Sequence, residues 1–242
     1  MNNYKLVVQY DGTNYCGWQF QINGLSVQET IIKSIKTITG EDVALIGSGR
    51  TDTGVHALGQ VANFKVEQVL EPYTFKYSLN SVLPKDISVR SMELESESFN
   101  SRFDAKKRSY LYLISRAKSP FYNKYSYGYF NEININLLNQ VSKTFLGEKE
   151  FTSFCKKESE VENKICKIFD IHWKNTGDFV IFFIEANRFL HGMVRTIVGT
   201  LLKVSTTHGD SEVINQIIES KNRELAGESV PAKGLFLYKV KY

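Results

Sequence analysis

The chain has 242 residues, 42% of them hydrophobic and 23% charged, which fits a globular protein of one large domain or two small ones with a sizeable core. A net charge of +4 is a weak argument for a polyanionic partner when taken as a total. Cys16, Cys155 and Cys166 form no Cys-x-x-Cys pair and His56, His172, His191 and His208 are scattered, so the chain argues against a disulfide framework and a zinc site, and a reducing, cytoplasmic setting is expected.

Tyr4 to Tyr10 is β-branched and apolar and stops at Asp11-Gly12-Thr13, which predicts a central strand. Met1 to Lys5 runs into it without the apolar core of a signal peptide. Tyr15 to Gln21 reads as an irregular, packed loop. Ser26-Val27-Gln28-Glu29 is a capping box, and Val27, Ile31, Ile35 and Ile38 follow at helical spacing up to Gly40.

Val43 to Ile46 predicts a short strand leading into Gly47-Ser48-Gly49-Arg50-Thr51-Asp52-Thr53-Gly54-Val55-His56-Ala57. Glycine at three of its first eight positions makes this stretch a poor helix and a poor strand. Its backbone therefore turns where other residues cannot, or approaches something closely. With Arg50 and Asp52 two residues apart it is either a site for a polar substrate or a hairpin loop with a solvated ion pair.

Further strands are expected at Gln60 to Val66, Ile87 to Leu94, Ser109 to Arg116, Val161 to Trp173, Asp178 to Ala186 and Leu235 to Val240. Helices are expected at Tyr73 to Ser81, Ile135 to Leu146, Asn187 to Val204 and Ser211 to Lys221. The longest aliphatic-aromatic run, Phe179 to Ile184, is too short to span a bilayer, and no membrane attachment is expected. Strands interleaved with helices favour an α+β fold with antiparallel sheet. Their order suggests two similar halves, 1–105 with the glycine loop and 106–242 with the Asn187 helix and the closing strand.

Two features look beyond the core. From Ser101 to Lys124, seven basic residues (Arg102, Lys106, Lys107, Arg108, Arg116, Lys118, Lys124) stand against Asp104 alone, interleaved with Phe103, Tyr110, Tyr112, Phe121 and Tyr122. Cations for phosphates and rings for unstacked bases suit an RNA-binding face; a solvated strand face is the plainer reading. On the Asn187 helix, Asn187, His191, Arg195 and Gly199 fall four apart on one face. A guanidinium on so apolar a helix needs a carboxylate partner if it is buried. Asp52, Glu185 or a surface acid would serve, and a partly exposed structural arginine is the alternative.

The runs Tyr10-Asp11-Gly12-Thr13, Gly17-Trp18-Gln19 and Gly49-Arg50-Thr51-Asp52-x-Gly54-Val55-His56-Ala57 resemble the tRNA pseudouridine synthase A family of anticodon-arm pseudouridine synthases. So do Leu79-Asn80-x-x-Leu83-Pro84-x-Asp86-Ile87, Arg102-Phe103-x-Ala105, Arg108-x-Tyr110-x-Tyr112 and Phe151-Thr152-Ser153-Phe154. The resemblance continues through Phe189-x-His191-x-Met193-Val194-Arg195-x-Ile197-Val198-Gly199 to Pro231-Ala232-x-Gly234-Leu235. The blocks lie in order over nearly the whole chain, and together are far more specific than any one of them. Thr53 stands where the family usually has Ala or Lys, and Asn100-Ser101 where His-Ala is frequent; both departures bear on RNA preference.

The resemblance implies a pseudouridine synthase fold: two related halves of mixed, mainly antiparallel sheet flanked by helices around a basic cleft. It implies a homodimer that holds tRNA and isomerises uridine to pseudouridine at positions 38 to 40, with no cofactor and no metal. Asp52 is then the carboxylate that acts at the ribose, as a nucleophile or as a base at C2′, and Arg195 is its partner. Arg50 enters the RNA stack and helps hold the target base out. Tyr110 lies against the uracil, and Arg102, Lys106, Lys107 and Arg108 bind the RNA. A tRNA-binding protein without activity, and a glycosidase-like hydrolase, are the competing classes; the second lacks a second acid in the motif.

Overall fold

The computed structural model describes residues 1–156, 161–207 and 209–242; His208 lies outside them. By its internal contacts the chain divides into two units, Met1–Lys106 with Phe236–Tyr242, and Lys107–Leu235.

The first unit begins with β1 (Asn2–Tyr10), whose Tyr4, Leu6, Val8 and Tyr10 are buried at alternate positions, as the period of a half-buried strand requires. α1 (Val27–Thr39) starts where Ser26 Oγ accepts the Glu29 amide and ends at Gly40 in the left-handed region, φ 75°. Glu29 completes the expected box differently: its carboxylate pairs with Lys33 one turn on. Val27, Ile31 and Ile35 on the inner face of α1 are fully buried, each contributing roughly 1.5–3 kcal/mol.

The strand expected from Val43 shrinks to β2 (Ile46–Gly47), which pairs with Asn63 and Ala62. β3 (His56–Val66) starts four residues earlier than expected, inside the glycine-rich stretch. α2 (Pro72–Val82) is capped by the Glu71 carboxylate, which accepts the Tyr73 and Thr74 amides. β4 (Ile87–Glu95) follows. β1 is antiparallel to both β3 and β4.

The second unit opens with β5 (Lys107–Ser115) and the short β6 (Tyr127–Gly128), paired in parallel. α3 (Ile135–Ser142) gives way to a 3₁₀ turn before Gly147, so the helix expected to reach Leu146 is shorter. Then come β7 (Gly147–Glu150), β8 (Ile165–Asn175) and β9 (Phe179–Ala186), and β5–β9–β8–β7 is antiparallel throughout. β8 changes register between Ile168 and Asp170. The shift moves its buried positions from Cys166 and Ile168 to Ile171 and Trp173, the parity change a β-bulge produces.

α4 (Met193–Thr206) and α5 (Ser211–Ser220) complete this unit. α4 corrects the expected helix. Gly192 takes φ 74° in front of it, and Asn187 is held at the end of the β-ladder, its amide on Lys167 O and its Oδ1 accepting the Lys167 amide. Of the four residues placed on one helical face, only Arg195 and Gly199 are helical.

The last strand, β10 (Leu235–Lys241), runs parallel to β3 through Phe236↔His56 and Leu237↔Ala57. Read from sequence as part of the second half, it belongs by its contacts to the first unit. The described residues thus hold ten strands, mostly antiparallel, and five α-helices, an α+β fold.

Candidate active site

Asp52 sits in a turn closed by the Val55 amide on Asp52 O at 3.1 Å. Its neighbours are tied down on every side. The Ser48 amide donates to Val61 O at 2.7 Å, and buried Gln60 bridges Ser48 Oγ at 2.6 Å and Gly49 O at 2.9 Å. Thr51 O accepts the Trp18 amide at 3.2 Å, and Thr51 Oγ1 meets the Tyr10 hydroxyl at 2.8 Å. The Gly54 amide donates to Tyr15 O at 3.3 Å.

The glycines of both blocks serve this packing. A Cβ on Gly47 would enter the Trp18 indole, 2.3 Å from Nε1; one on Gly17, at φ +107°, would lie 2.4 Å from Thr51 O. One on Gly12 would lie 2.0 Å from Val55 O. Residues 10–18 and 48–56 can therefore touch backbone to backbone only with glycine at 12 and 17, and Gly47 leaves room for the Trp18 ring. Arg50 is exposed and Asp52 half-buried on this fixed frame.

Two further ties extend from the frame. His56 is buried, stacked on Phe236 with ring centroids 4.7 Å apart, and its Nδ1 accepts the Gly12 amide at 3.0 Å with Asp11 Oδ1 at 3.2 Å. It fastens the Asp11 turn to β3. The Tyr15 hydroxyl donates to Asp86 at 2.7 Å, and burial, with that carboxylate beside it, pushes the phenol well above the ordinary range. Asn80 brackets Val89 through both its amide groups. Asp86 and Asn80, which sequence reasoning left without a role, thus hold the edge on which Tyr15 rests. Gln60 was also missed; its one signal is a fully polar side chain in an otherwise apolar run.

Tyr110 and Arg195 belong to the second unit. Tyr110, 8% exposed on β5, meets Phe189 edge to face with centroids 5.0 Å apart. Arg195 lies in the first turn of α4. Its Nε donates to Val230 O at 2.7 Å, and its own carbonyl accepts the Val230 amide at 3.3 Å. The 227–231 segment reaches α4 because Gly199 has no side chain: a Cβ there would fall 1.8 Å from Glu228 O. The Gly227 amide bonds Thr200 Oγ1, Ser229 bonds Thr196, and Pro231 O accepts the buried Tyr112 hydroxyl at 2.8 Å. Burial drives the Tyr112 phenol far up, opposed by the Arg195 charge. Tyr112, expected on an RNA-facing surface, is a core residue instead.

The basic residues divide. Arg102 and Lys106 are exposed. Lys107 pairs with buried Glu185 at 3.2 Å and covers the Phe169 ring at 4.3 Å, while Ser109 donates to the other Glu185 oxygen at 3.0 Å. Arg108 donates to Asn187 O at 2.9 Å. Lys107 and Arg108 are thereby engaged in holding the end of β5 to β9. Ser101, one of the departures from the family pattern, is fully buried between Asn63 and Ile46, so it cannot touch RNA.

A family model described as tRNA pseudouridine synthase matches residues 6–104 and 141–242. The chain belongs to the tRNA pseudouridine synthase family. It is 44% identical to tRNA pseudouridine synthase A of Caldicellulosiruptor saccharolyticus and 43% identical to that of Clostridium acetobutylicum, covering 100% of both chains in each case. The protein of the same name from Bacteroides thetaiotaomicron is 42% identical over 100% of this chain and 91% of its own length. In this tRNA pseudouridine synthase family member the matched blocks account for the Asp52 frame, the Asp86–Tyr15 tie and the Arg195–Gly199–Val230 packing. Among the described residues no helix is long and apolar enough to cross a membrane.

Proposed function

We propose that this chain isomerises uridine to pseudouridine at positions 38 to 40 of the tRNA anticodon stem-loop, with Asp52 acting at the ribose. The observation that carries the reading is the clamped Asp52 turn in a chain matched end to end by named relatives.

The reaction breaks N1–C1′, turns the uracil and joins C5 to C1′. The C5 proton leaves to solvent and N1 gains one, so atoms balance without redox change. Asp52 either attacks C1′ or takes the C2′ proton. Both roles need an ionised carboxylate held still, and the hydrogen bonds on Ser48, Gly49, Thr51 and Gly54 support that. A stacked base must leave the stack first, at a cost on the order of a few kcal/mol. Arg50, exposed beside Asp52, fills the gap. Tyr110 lies against the uracil and stacks on it. Arg195, oriented by Val230, serves as the cationic partner of the Asp52 carboxylate in this reading. Arg102 and Lys106 meet phosphates. The enzyme works as a homodimer in the cytoplasm.

The test is tritium release from unmodified tRNA carrying C5-tritiated uridine. The wild-type chain releases it; Asp52→Ala binds the same tRNA and releases none. Wild-type release by Asp52→Ala would sink the role of Asp52. Salt-dependent tRNA binding with no release on any RNA would leave a silent binder, and free uracil would indicate a hydrolase. Pseudouridine mapped outside positions 38 to 40 would make the chain a paralogue with another target.

A further inference from the structure

The basic-aromatic segment has an outer part that the proposed active site does not use. Between Arg116 and Asn131 stand Arg116, Lys118 and Lys124 with no Asp or Glu. The same stretch carries Phe121 at 83% exposure and Phe130 at 66%, with Tyr122 and Tyr125 also exposed. Single exposed aromatics are ordinary; four within ten residues of one loop call for a physical account.

The loop is built to hold them out. The Arg116 amide donates to Asp178 O and the Tyr129 amide to Ser115 O, while β6 pairs with Ile114 and Ser115. Inside it, buried Ser126 donates to Tyr122 O at 2.7 Å and the Tyr125 amide bonds the same carbonyl. The Tyr122 ring rests on Phe179 at 4.6 Å, and Lys233 donates to Asn123 at 2.7 Å. Phe121 thus faces solvent from a fastened loop.

We propose that this loop is a second RNA contact, with Phe121 stacking on an unpaired base and Arg116, Lys118 and Lys124 meeting phosphates of the same tRNA. The proposal rests on tRNA being the substrate. Lysines interleaved with the rings favour RNA, because the centre of a protein-docking patch is depleted in lysine, whereas stacking platforms in basic surroundings bind single strands. The loop leaves β5 five residues after Tyr110, about 17 Å along the strand. It therefore grips RNA flanking the reacting uridine and acts on binding, not on the chemical step.

Filter binding of full-length tRNA by the whole chain tests this directly. Phe121→Ala should weaken binding about tenfold and raise KM by a similar factor with kcat unchanged, and Phe121→Trp should restore both. Lys118→Gln should flatten the dependence of log K on log salt by about 0.7. Unchanged affinity in Phe121→Ala overturns the proposal. Because binding is read without turnover, a wild-type chain that binds tRNA but releases no tritium would overturn the proposed reaction and leave this result standing.

Discussion

Cys166 is fully buried on β8, and burial pushes its thiol from 9.0 up to about 11, with Cys155 adding to the shift and Arg188 opposing it. A thiol that stays neutral does not alkylate. Cys155 is buried as well, whereas Cys16 is half-buried. Iodoacetamide at pH 8 should therefore add one group, at Cys16, to the native chain and three in denaturant, as counted by mass spectrometry. A second native adduct would mean that the β8 region opens. The sign of the linkage follows: with the folded value above the unfolded one, the contribution to stability is complete below about pH 9 and is lost as pH rises towards 11. At this scale the sequence named the motif residues but not their reasons. Gly12 and His56 are 44 positions apart, and the bond between them has no local signature.

Helix α4 shows what periodicity can and cannot carry. Val194, Ile197 and Leu201 are buried at helical spacing, and Leu190 is buried as well but from a turn outside the helix, so apolar spacing alone carried the expected helix past its true start at Met193. β7, with the sequence Gly-Glu-Lys-Glu, was invisible because a short polar strand has no hydrophobic alternation to read. Gly199 carries the prediction at this scale. Gly199→Ala would push the Glu228 carbonyl off the helix and shift Val230 and Pro231, which orient Arg195 and Tyr112. A misplacement near 1 Å can cost about 10²-fold in rate. Tritium release should fall by about that much, while tRNA affinity, set by other residues, stays within about twofold. Equal losses in affinity and rate would indicate general unfolding instead.

The element order was legible because each helix and most strands announce themselves locally; the return of the chain was not. β10 reads as one more apolar strand, and nothing near residue 235 says that it closes the first unit beside a strand that begins at His56. That pairing bears on the active site. Phe236 stacks on His56, which holds the Gly12 amide, and Gly59 lets Tyr238 O approach to where a Cβ would be 2.6 Å away. Tyr242 donates to Ser101 O at 2.7 Å, fastening the end of the strand to the turn before β5. Removing residues 236–242 would bare one edge of β3 at His56 and Ala57, a row of unpaired amides open to solvent or to another chain, and would leave the His56 ring without its cover. The chain lacking these residues should lose hydrogen-exchange protection first at His56 to Gln60 and then at Asp52 to Val55, and release no tritium. Protection in the second unit, at Ile171 to Trp173 against β9, should change little, since both strands of that ladder remain. Uniform loss across both units would show instead that they unfold as one, and then the closing strand would be needed by the whole chain and not by the Asp52 frame in particular.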